Sequence, residues 1–271
     1  MVLYATMKPA VILVIVFLIG SLTVAGCTSG PAGQPPPSTT PVPAEEKPHY
    51  TIGIDADYPP FTYRDSEGNF TGFDIESARW IADREGFDVE FVAVPWDAII
   101  PTLQSGTIDM IYSGISITPD REKEVNFTIP YYTVTKSVAV RSGSNITLED
   151  LYNGRLRVGT QSGSSAETWI EDTLIEPGSM PASNLVLYPN LSAVTEGLMS
   201  GSFDASIIDT PSQLQLISGK PLVILGEIPT ADQYAVAVRK TDPELLATMN
   251  DGLRQLMADP YWQQLLQKYG L

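Results

Sequence analysis

Cysteine and histidine are almost absent from this chain of 271 residues, which contains one of each, Cys27 and His49. A single cysteine excludes an internal disulfide, so packing must stabilise the folded part of the chain. One cysteine and one histidine also cannot supply a Cys/His metal cluster, and the sequence has neither a P-loop nor a GxSxG motif. The sequence therefore predicts no metal, no cofactor and no enzyme activity.

Positive charge is scarce as well. The chain has 16 lysine and arginine residues against 32 aspartate and glutamate residues, which gives a net charge of −16. Nucleic acids and anionic lipid headgroups bind proteins through basic patches, which this composition does not favour. The charge balance argues against both kinds of partner and favours the solvated surface of a secreted protein.

The N-terminus carries the pattern of an export signal. A lysine follows Met7, an apolar run covers residues 10–19, and small residues lead up to Cys27. This pattern predicts a secretory signal peptide over residues 1–26. Cys27 resembles the lipidated first residue of mature bacterial and archaeal lipoproteins. An uncleaved membrane anchor is the alternative, because about 20 apolar residues can span a bilayer.

Residues 27–48 are rich in proline, glycine, serine and threonine and show no apolar periodicity. Such a segment cannot bury a face, so it predicts a semi-extended tether that lifts the rest of the chain off the membrane.

Strand and helix patterns alternate from Tyr50 onward. Such alternation predicts an α/β fold with parallel-rich sheets covered by helices, and two successive runs suggest two lobes. Apolar runs predict strands at 50–54, 89–94, 108–112, 134–140, 156–159, 185–188, 205–208, 222–224 and 234–238. Helical spacing predicts helices at 73–83, 97–103, 164–174, 192–199, 211–217, from 243 onward, and at 261–268.

The most informative segment is residues 108–132, with the sequence IDMIYSGISITPDREKEVNFTIPYY. A strand pattern ends in small and hydroxyl-bearing residues, and a single arginine, Arg121, follows. Small residues let a ligand approach the backbone, hydroxyl and N–H groups donate hydrogen bonds, and a guanidinium offers a planar fork for a carboxylate. The alternative is a polar loop in which Arg121 pairs with Glu122 or Glu124.

This segment resembles the signature of the extracytoplasmic amino-acid-binding proteins of ABC importers, solute-binding protein family 3. The resemblance covers residues 49–271 and implies a bilobal, type II periplasmic-binding-protein (Venus flytrap) fold. Lobe 1 would comprise residues 49–138 and 233–271, and lobe 2 residues 139–232. Two near-parallel hinge strands, around 135–141 and 233–240, would connect the lobes.

The resemblance assigns the strand end and the arginine to the α-carboxylate of a bound amino acid. This implies ligand contacts for Ser113, Gly114, Ser116 and Arg121, since the family uses strand-end backbone, a hydroxyl and the arginine.

Three further positions in the first part of the chain match the family pocket. Asp55 aligns with a carboxylate used on polar or cationic ligand side chains, Tyr58 with an aromatic that stacks on the ligand, and Trp96 with another pocket side chain. The alternatives are a loop cap for Asp55, packing on Pro60 for Tyr58, and a core position for Trp96.

The second part of the chain supplies the remaining predicted contacts. Residues 159–165, GTQSGSS, join a strand to a helix whose first N–H groups can bind an anion, and Ser164 or Ser165 adds a hydroxyl. The resemblance makes this turn a second contact for the ligand carboxylate and gives Asp209 the α-ammonium. Capping of the following helix, by Ser162 or Ser164 and by Asp209, is the alternative at each place.

The sequence thus predicts a protein that binds a free L-amino acid, with polar or basic side chains slightly favoured, and delivers it to an ABC permease. We expect a monomer, lipid-anchored through Cys27 at the extracytoplasmic face of the cell membrane, in the periplasm or at the cell surface. Two alternatives stay open. One is a periplasmic arogenate or prephenate dehydratase-like enzyme on the same fold, with Glu167 as a possible acid. The other is an extracellular amino-acid sensor domain.

Overall fold

The computed structural model describes residues 47–271. The predicted signal peptide, Cys27 and most of the predicted tether lie outside the described residues. Within residues 47–271, no helix has the length and apolar character needed to cross a membrane.

Twelve strands and nine α-helices make up the described part of the chain. The strands are β1 (His49–Ile54), β2 (Asp57–Tyr58), β3 (Thr62–Arg64), β4 (Phe70–Thr71), β5 (Asp88–Ala93), β6 (Met110–Ser116), β7 (Asn126–Phe127), β8 (Tyr132–Arg141), β9 (Val158–Gln161), β10 (Leu185–Tyr188), β11 (Ala205–Asp209) and β12 (Leu222–Val238). The helices are α1 (Phe73–Glu85), α2 (Ile99–Gln104), α3 (Pro119–Glu124), α4 (Leu148–Tyr152), α5 (Ser165–Ile170), α6 (Leu191–Ser200), α7 (Thr210–Ile217), α8 (Pro243–Ala258) and α9 (Pro260–Tyr269). Short 3-10 turns occupy Trp96–Ala98 and Ala182–Asn184, and a π turn at Glu171–Ile175 prolongs α5.

Nine of the strands form one sheet in the order β10-β9-β11-β8-β12-β6-β1-β5, with β7 also paired to β12. β1 runs parallel to β5 and β6, and β9 runs parallel to β10 and β11. The long strands β8 and β12 stand between these two parallel groups and pair with each other. The predicted α/β class is therefore confirmed, because parallel strands joined through helices dominate both ends of the sheet.

The C-terminal helices return to the beginning of the chain. α8 buries Leu245, Met249, Leu253 and Leu256, and α8 and α9 both pack against α1. A Cβ atom on Gly252 would stand 2.4 Å from Cγ2 of Ile81, so the backbone of α8 approaches α1 closely there. The lobe boundaries at 138/139 and 232/233 stay a prediction.

Three expectations about the strands need correction. β6 does not end at residue 112 but continues to Ser116, because its last residues keep pairing with β12, Ile115 opposite Ala235 and Ser116 opposite Tyr234. The expected strands at 222–224 and 234–238 are parts of the single strand β12. The two hinge strands, expected to be near-parallel, pair antiparallel. The small sheet of β2, β3 and β4 and the short helices α3 and α4 were not predicted.

Candidate functional site

A cavity with about 380 Å³ of empty volume, open in part to solvent, lies where β6, β9 and β11 end. In sheets of this kind ligands bind at the carboxyl ends of the strands. The cavity is lined by Tyr58, Trp96, Gly114, Ser116, Arg121, Thr160, Gln161, Ser164, Ser165, Ala166, Leu191, Ile208 and Asp209. The structure therefore brings together all the predicted site residues except Asp55 and Ser113.

Arg121 projects from the first turn of α3 toward the cavity. Its Nη1 donates to the carbonyl oxygen of Ser116 at 2.9 Å, and its Nη2 donates to the carbonyl oxygen of Gly163 at 3.0 Å. A guanidinium has five N–H groups, so donors remain for a carboxylate in the cavity. Burial lowers the pKa of Arg121 from its usual value, and the charge of Asp209 opposes this effect. Since the guanidinium bonds backbone carbonyls rather than Glu122 or Glu124, the polar-loop alternative is wrong.

Gly114 brings the backbone of β6 against an aromatic ring of the cavity wall. Its φ is +57°, and a Cβ atom there would stand 2.4 Å from Cε1 of Tyr58. The N–H of Gly114 donates to Oδ2 of Asp74 at 2.7 Å, and the hydroxyl of Tyr131 donates to the same oxygen at 2.9 Å. Asp74 is fully buried in the first turn of α1, and burial raises its pKa to about 7. Asp74 therefore fixes the cavity end of β6 from behind.

Asp209 presents its carboxylate from the end of β11. Its Oδ2 accepts hydrogen bonds from the hydroxyls of Tyr58 and Tyr234, each at 2.6 Å, and its Oδ1 accepts one from Nζ of Lys136 at 3.3 Å. Asp209 immediately precedes α7, yet its side chain makes no capping hydrogen bond to that helix. The capping alternative for Asp209 is therefore wrong.

The hydroxyl oxygens of the two tyrosines also lie close to each other, but each hydroxyl has a single hydrogen, so when both donate to Asp209 neither donates to the other. Burial and the charge of Asp209 raise the pKa of both Tyr58 and Tyr234, so both hydroxyls stay protonated and can donate. The ring of Tyr58 stacks on Phe61, with centroids 5.6 Å apart, and on Trp96 at 6.5 Å. Tyr58 thus contributes a ring that stacks on other aromatic rings and a hydroxyl that bonds Asp209.

Ser164 and Ser165 line the cavity at the start of α5. The Ser164 hydroxyl accepts the N–H of Glu167 at 3.1 Å, so Ser164, rather than Ser162, caps the helix. The Ser165 hydroxyl lies 3.3 Å from the Ser116 hydroxyl across the cavity. Capping and cavity lining therefore hold together at this turn. Thr160 and Gln161, in the same segment, also line the cavity and were not predicted to do so.

Asp55 and Ser113 are not among the residues that line the cavity, and their contact with a ligand stays a prediction. Asp55 accepts the N–H of Asp57 at 2.9 Å, which is the loop-capping alternative, and its Oδ2 accepts a hydrogen bond from Nε2 of Gln161 at 2.7 Å. The Ser113 hydroxyl accepts the N–H of Asp55 at 3.0 Å. Side chains alternate along a strand, so Ser113 turns inward where its neighbour Gly114 faces the cavity.

Several hydrogen bonds join the two sides of the cavity. Nε1 of Trp96 donates to the carbonyl oxygen of Gly163 at 3.1 Å, beside the Arg121 bond to the same oxygen. At the rim, the carboxylate of Asp57 accepts both the N–H and the hydroxyl of Ser192, each at 2.7 Å. Trp96 also packs against the apolar cluster around α2, so its pocket and core roles coexist.

Lys136 is the functional candidate that the sequence patterns missed. It lies in β8 with 1% of its side chain exposed and forms ion pairs with Asp209 and Asp232. The one available signal was a single charged residue inside the otherwise uncharged run at 134–140. A buried charge requires partners, so such a residue marks a polar site within the sheet.

Two parallel strand groups joined by two long strands, with a guanidinium and a carboxylate facing one cavity, define a ligand-binding protein of the bilobal type. Residues 50–271 match the family described as bacterial extracellular solute-binding proteins, family 3, and the chain belongs to that family.

Several proteins of known name are similar to this chain over most of its length. The lysine/arginine/ornithine-binding periplasmic protein of Escherichia coli is 32% identical, over 80% of this chain and 86% of its own. The solved structure of an ancestral arginine-binding protein bound to arginine is 32% identical, with a TM-score of 0.75 over 82% of this chain and 98% of its own. An ancestral amino acid-binding protein described as a precursor of cyclohexadienyl dehydratase is 34% identical, with a TM-score of 0.73 over 82% and 95%. The type II periplasmic-binding-protein fold is thereby confirmed.

Proposed function

We propose that this protein binds a free L-amino acid in the cavity and delivers it to the permease of an ABC importer. The observation that carries the proposal is the pair of opposite charges, Arg121 and Asp209, that line one cavity. An α-amino acid has a carboxylate and an ammonium on one carbon, and this pair complements both. The names of the relatives, which refer to amino acids, support the same ligand class.

The polar groups of the cavity suit the two ends of a zwitterion. Arg121 would hold the ligand carboxylate through its remaining N–H groups, with the hydroxyls of Ser116 and Ser165 beside it. Asp209 would hold the α-ammonium through Oδ1, because Oδ2 already accepts two tyrosine hydroxyls. The ring faces of Tyr58 and Trp96 would pack on the ligand side chain.

The charges around the cavity favour a polar or basic ligand side chain. Arg121 and Lys136 supply two positive charges, whereas Asp55, Asp209, Asp232 and, at the rim, Asp57 supply four negative ones, a sum of −2. A zwitterion adds no net charge, whereas a basic amino acid adds +1 and reduces the negative excess. Asp55 would act from behind Gln161, which it holds by a hydrogen bond.

The hydrogen bonds across the cavity support closure of two lobes around the ligand. Lobe 1 (residues 49–138 and 233–271) and lobe 2 (residues 139–232) would separate and close about β8 and β12. The bonds from Trp96 and Arg121 to Gly163, and from Ser192 to Asp57, would break on opening and form again on closing. A ligand that contacts both sides stabilises the closed form, because the open form lacks those contacts.

We propose a binding role without catalysis. The acid considered for a dehydratase, Glu167, accepts the N–H of Gly163 at 2.5 Å and is not among the residues that line the cavity. Burial raises the pKa of Glu167, but the carboxyl group faces its own backbone turn rather than the cavity.

A thermal-unfolding screen tests the proposed function. Protein stripped of bound ligand by unfolding and refolding is heated with each of the twenty proteinogenic amino acids in turn. Since a ligand that binds only the folded state raises the melting temperature, at least one amino acid should do so, with basic side chains strongest. If none of the twenty amino acids raises the melting temperature, the proposal is contradicted. A preference for aspartate or glutamate would contradict only the predicted preference for basic side chains.

We further propose that the protein acts as a monomer attached to the extracytoplasmic face of the cell membrane through lipid on Cys27. The signal-peptide pattern before Cys27 and the proline-rich segment after it support this location. A Cys27→Ser change should then move the protein from the membrane fraction to the soluble fraction on cell fractionation. Continued sedimentation with membranes would argue for an uncleaved anchor instead.

A further inference from the structure

The ammonium group of Lys136 lies directly behind the cavity wall. Its Nζ donates to Oγ of Ser165 at 3.0 Å and to Oδ1 of Asp209 at 3.3 Å, and it also donates to Oδ2 of Asp232. These bonds use all three hydrogens of the ammonium. Lys136 itself is covered and does not line the cavity, but its partners Ser165 and Asp209 do.

The carboxylate of Asp209 is nearly filled by hydrogen-bond donors of the protein itself. A carboxylate accepts about four hydrogen bonds, two at each oxygen. Oδ2 already accepts two, from Tyr58 and Tyr234, and Oδ1 accepts one, from Lys136. A ligand ammonium must therefore use the remaining position on Oδ1, next to an ammonium of the protein.

We propose that Lys136 is a specificity-determining residue, whose ammonium competes with the ligand α-ammonium for Oδ1 of Asp209. Two cations that bond one oxygen lie within about 6 Å of each other and repel. Lys136 thus reduces the ratio between the affinity for an amino acid and the affinity for the same molecule without its amino group. Asp232 moderates the effect, since it holds part of the Lys136 charge away from Asp209. This inference rests on the proposed function, because it concerns the α-ammonium of the ligand placed there.

Two substitutions should move this preference in opposite directions. Lys136→Met removes the competing cation while keeping a long, unbranched side chain, so the preference for the amino acid over its des-amino analogue should rise by about tenfold or more. Asp232→Asn keeps the lysine but removes its second counter-charge, so the lysine interacts more with Asp209 and the preference should fall. Lys123→Met, on exposed Lys123 of α3, is the matched control and should leave the preference unchanged.

The measurement is competitive binding of L-arginine and 5-guanidinopentanoate, or of the corresponding pair for whichever amino acid the thermal screen identifies. A merely structural role of Lys136 would change both affinities together and leave their ratio constant. An unchanged ratio in both variants, or a ratio that falls in Lys136→Met, would overturn the inference. If circular dichroism shows that Lys136→Met does not fold, the affinity ratio of Asp232→Asn alone tests the inference, because asparagine has the same shape as aspartate. Failure of the wild-type protein to bind any amino acid would instead contradict the proposed function.

Discussion

Replacing Arg121 with alanine is expected to cause the largest loss of ligand affinity of any single change in the cavity. The ligand carboxylate would remain desolvated in the closed cavity without its cationic partner. Such a loss costs on the order of 2–5 kcal/mol, a factor of about 30 to several thousand in the dissociation constant. Arg121 also bonds Gly163 across the cavity, so the variant loses a closing contact as well.

Calorimetric titration with the amino acid found by thermal screening measures this loss. Arg121→Lys should recover only part of the affinity, because an ammonium cannot reproduce the planar fork. Lys123→Ala is the matched control. Lys123 lies on the same helix with 73% of its side chain exposed, and its replacement also removes one positive charge. Affinity of Arg121→Ala close to that of Lys123→Ala would mean that the carboxylate binds elsewhere.

The second large effect concerns stability and pH, and it arises at Asp74. Burial raises the pKa of Asp74 from 3.8 to about 7 in the folded protein. An acid with a raised pKa binds its proton more tightly in the folded state. Its contribution to the free energy of unfolding is therefore fully present below about pH 4. It is lost as the pH rises through about 7. This difference between the folded and unfolded pKa values of Asp74 corresponds to about 4 kcal/mol of unfolding free energy.

Asparagine at position 74 isolates this contribution, because it cannot ionise but can still accept the N–H of Gly114 and the hydroxyl of Tyr131. Urea unfolding of Asp74→Asn and wild-type protein at pH 5 and pH 8 should therefore show the wild type losing stability relative to the variant as the pH rises. Asp83→Asn, on an exposed aspartate of the same helix, should show no such relative change. A constant difference between wild type and Asp74→Asn across this range would mean that Asp74 has an ordinary pKa.

Much of the fold could be predicted because buried parallel strands leave long apolar runs in a sequence. The strand predicted at 205–208 matches the fully buried β11, and the helical spacing that begins at 243 matches α8. The sequence pattern predicts β6 too short because Ser113, Gly114 and Ser116 resemble a loop, whereas β12 supplies backbone partners that a local pattern does not contain. Once β6 is extended, strand alternation places Ser113 and Gly114 on opposite faces, but the register shift against β12 and the positive φ of Gly114 could not be predicted from the pattern.

The electrostatic part of the site was less accessible from sequence. The family resemblance assigns Asp209 to the site, but its partners Tyr58 and Lys136 lie 151 and 73 positions away along the chain. Lys136 and Asp232 likewise meet over 96 positions. Such contacts depend on the pairing of β8 with β12 and β11, which the spacing of residues along one strand does not specify.

The most direct test of the central claim is calorimetric titration of the ligand-stripped wild-type protein with the amino acid that the thermal screen identifies. We predict one site per chain with a dissociation constant of about micromolar or tighter, near −8 kcal/mol. Burial of apolar surface between Tyr58 and Trp96 should also give a negative heat-capacity change across several temperatures. Absence of saturable heat with that amino acid, and with the other nineteen, would contradict the assignment of this cavity to amino-acid capture.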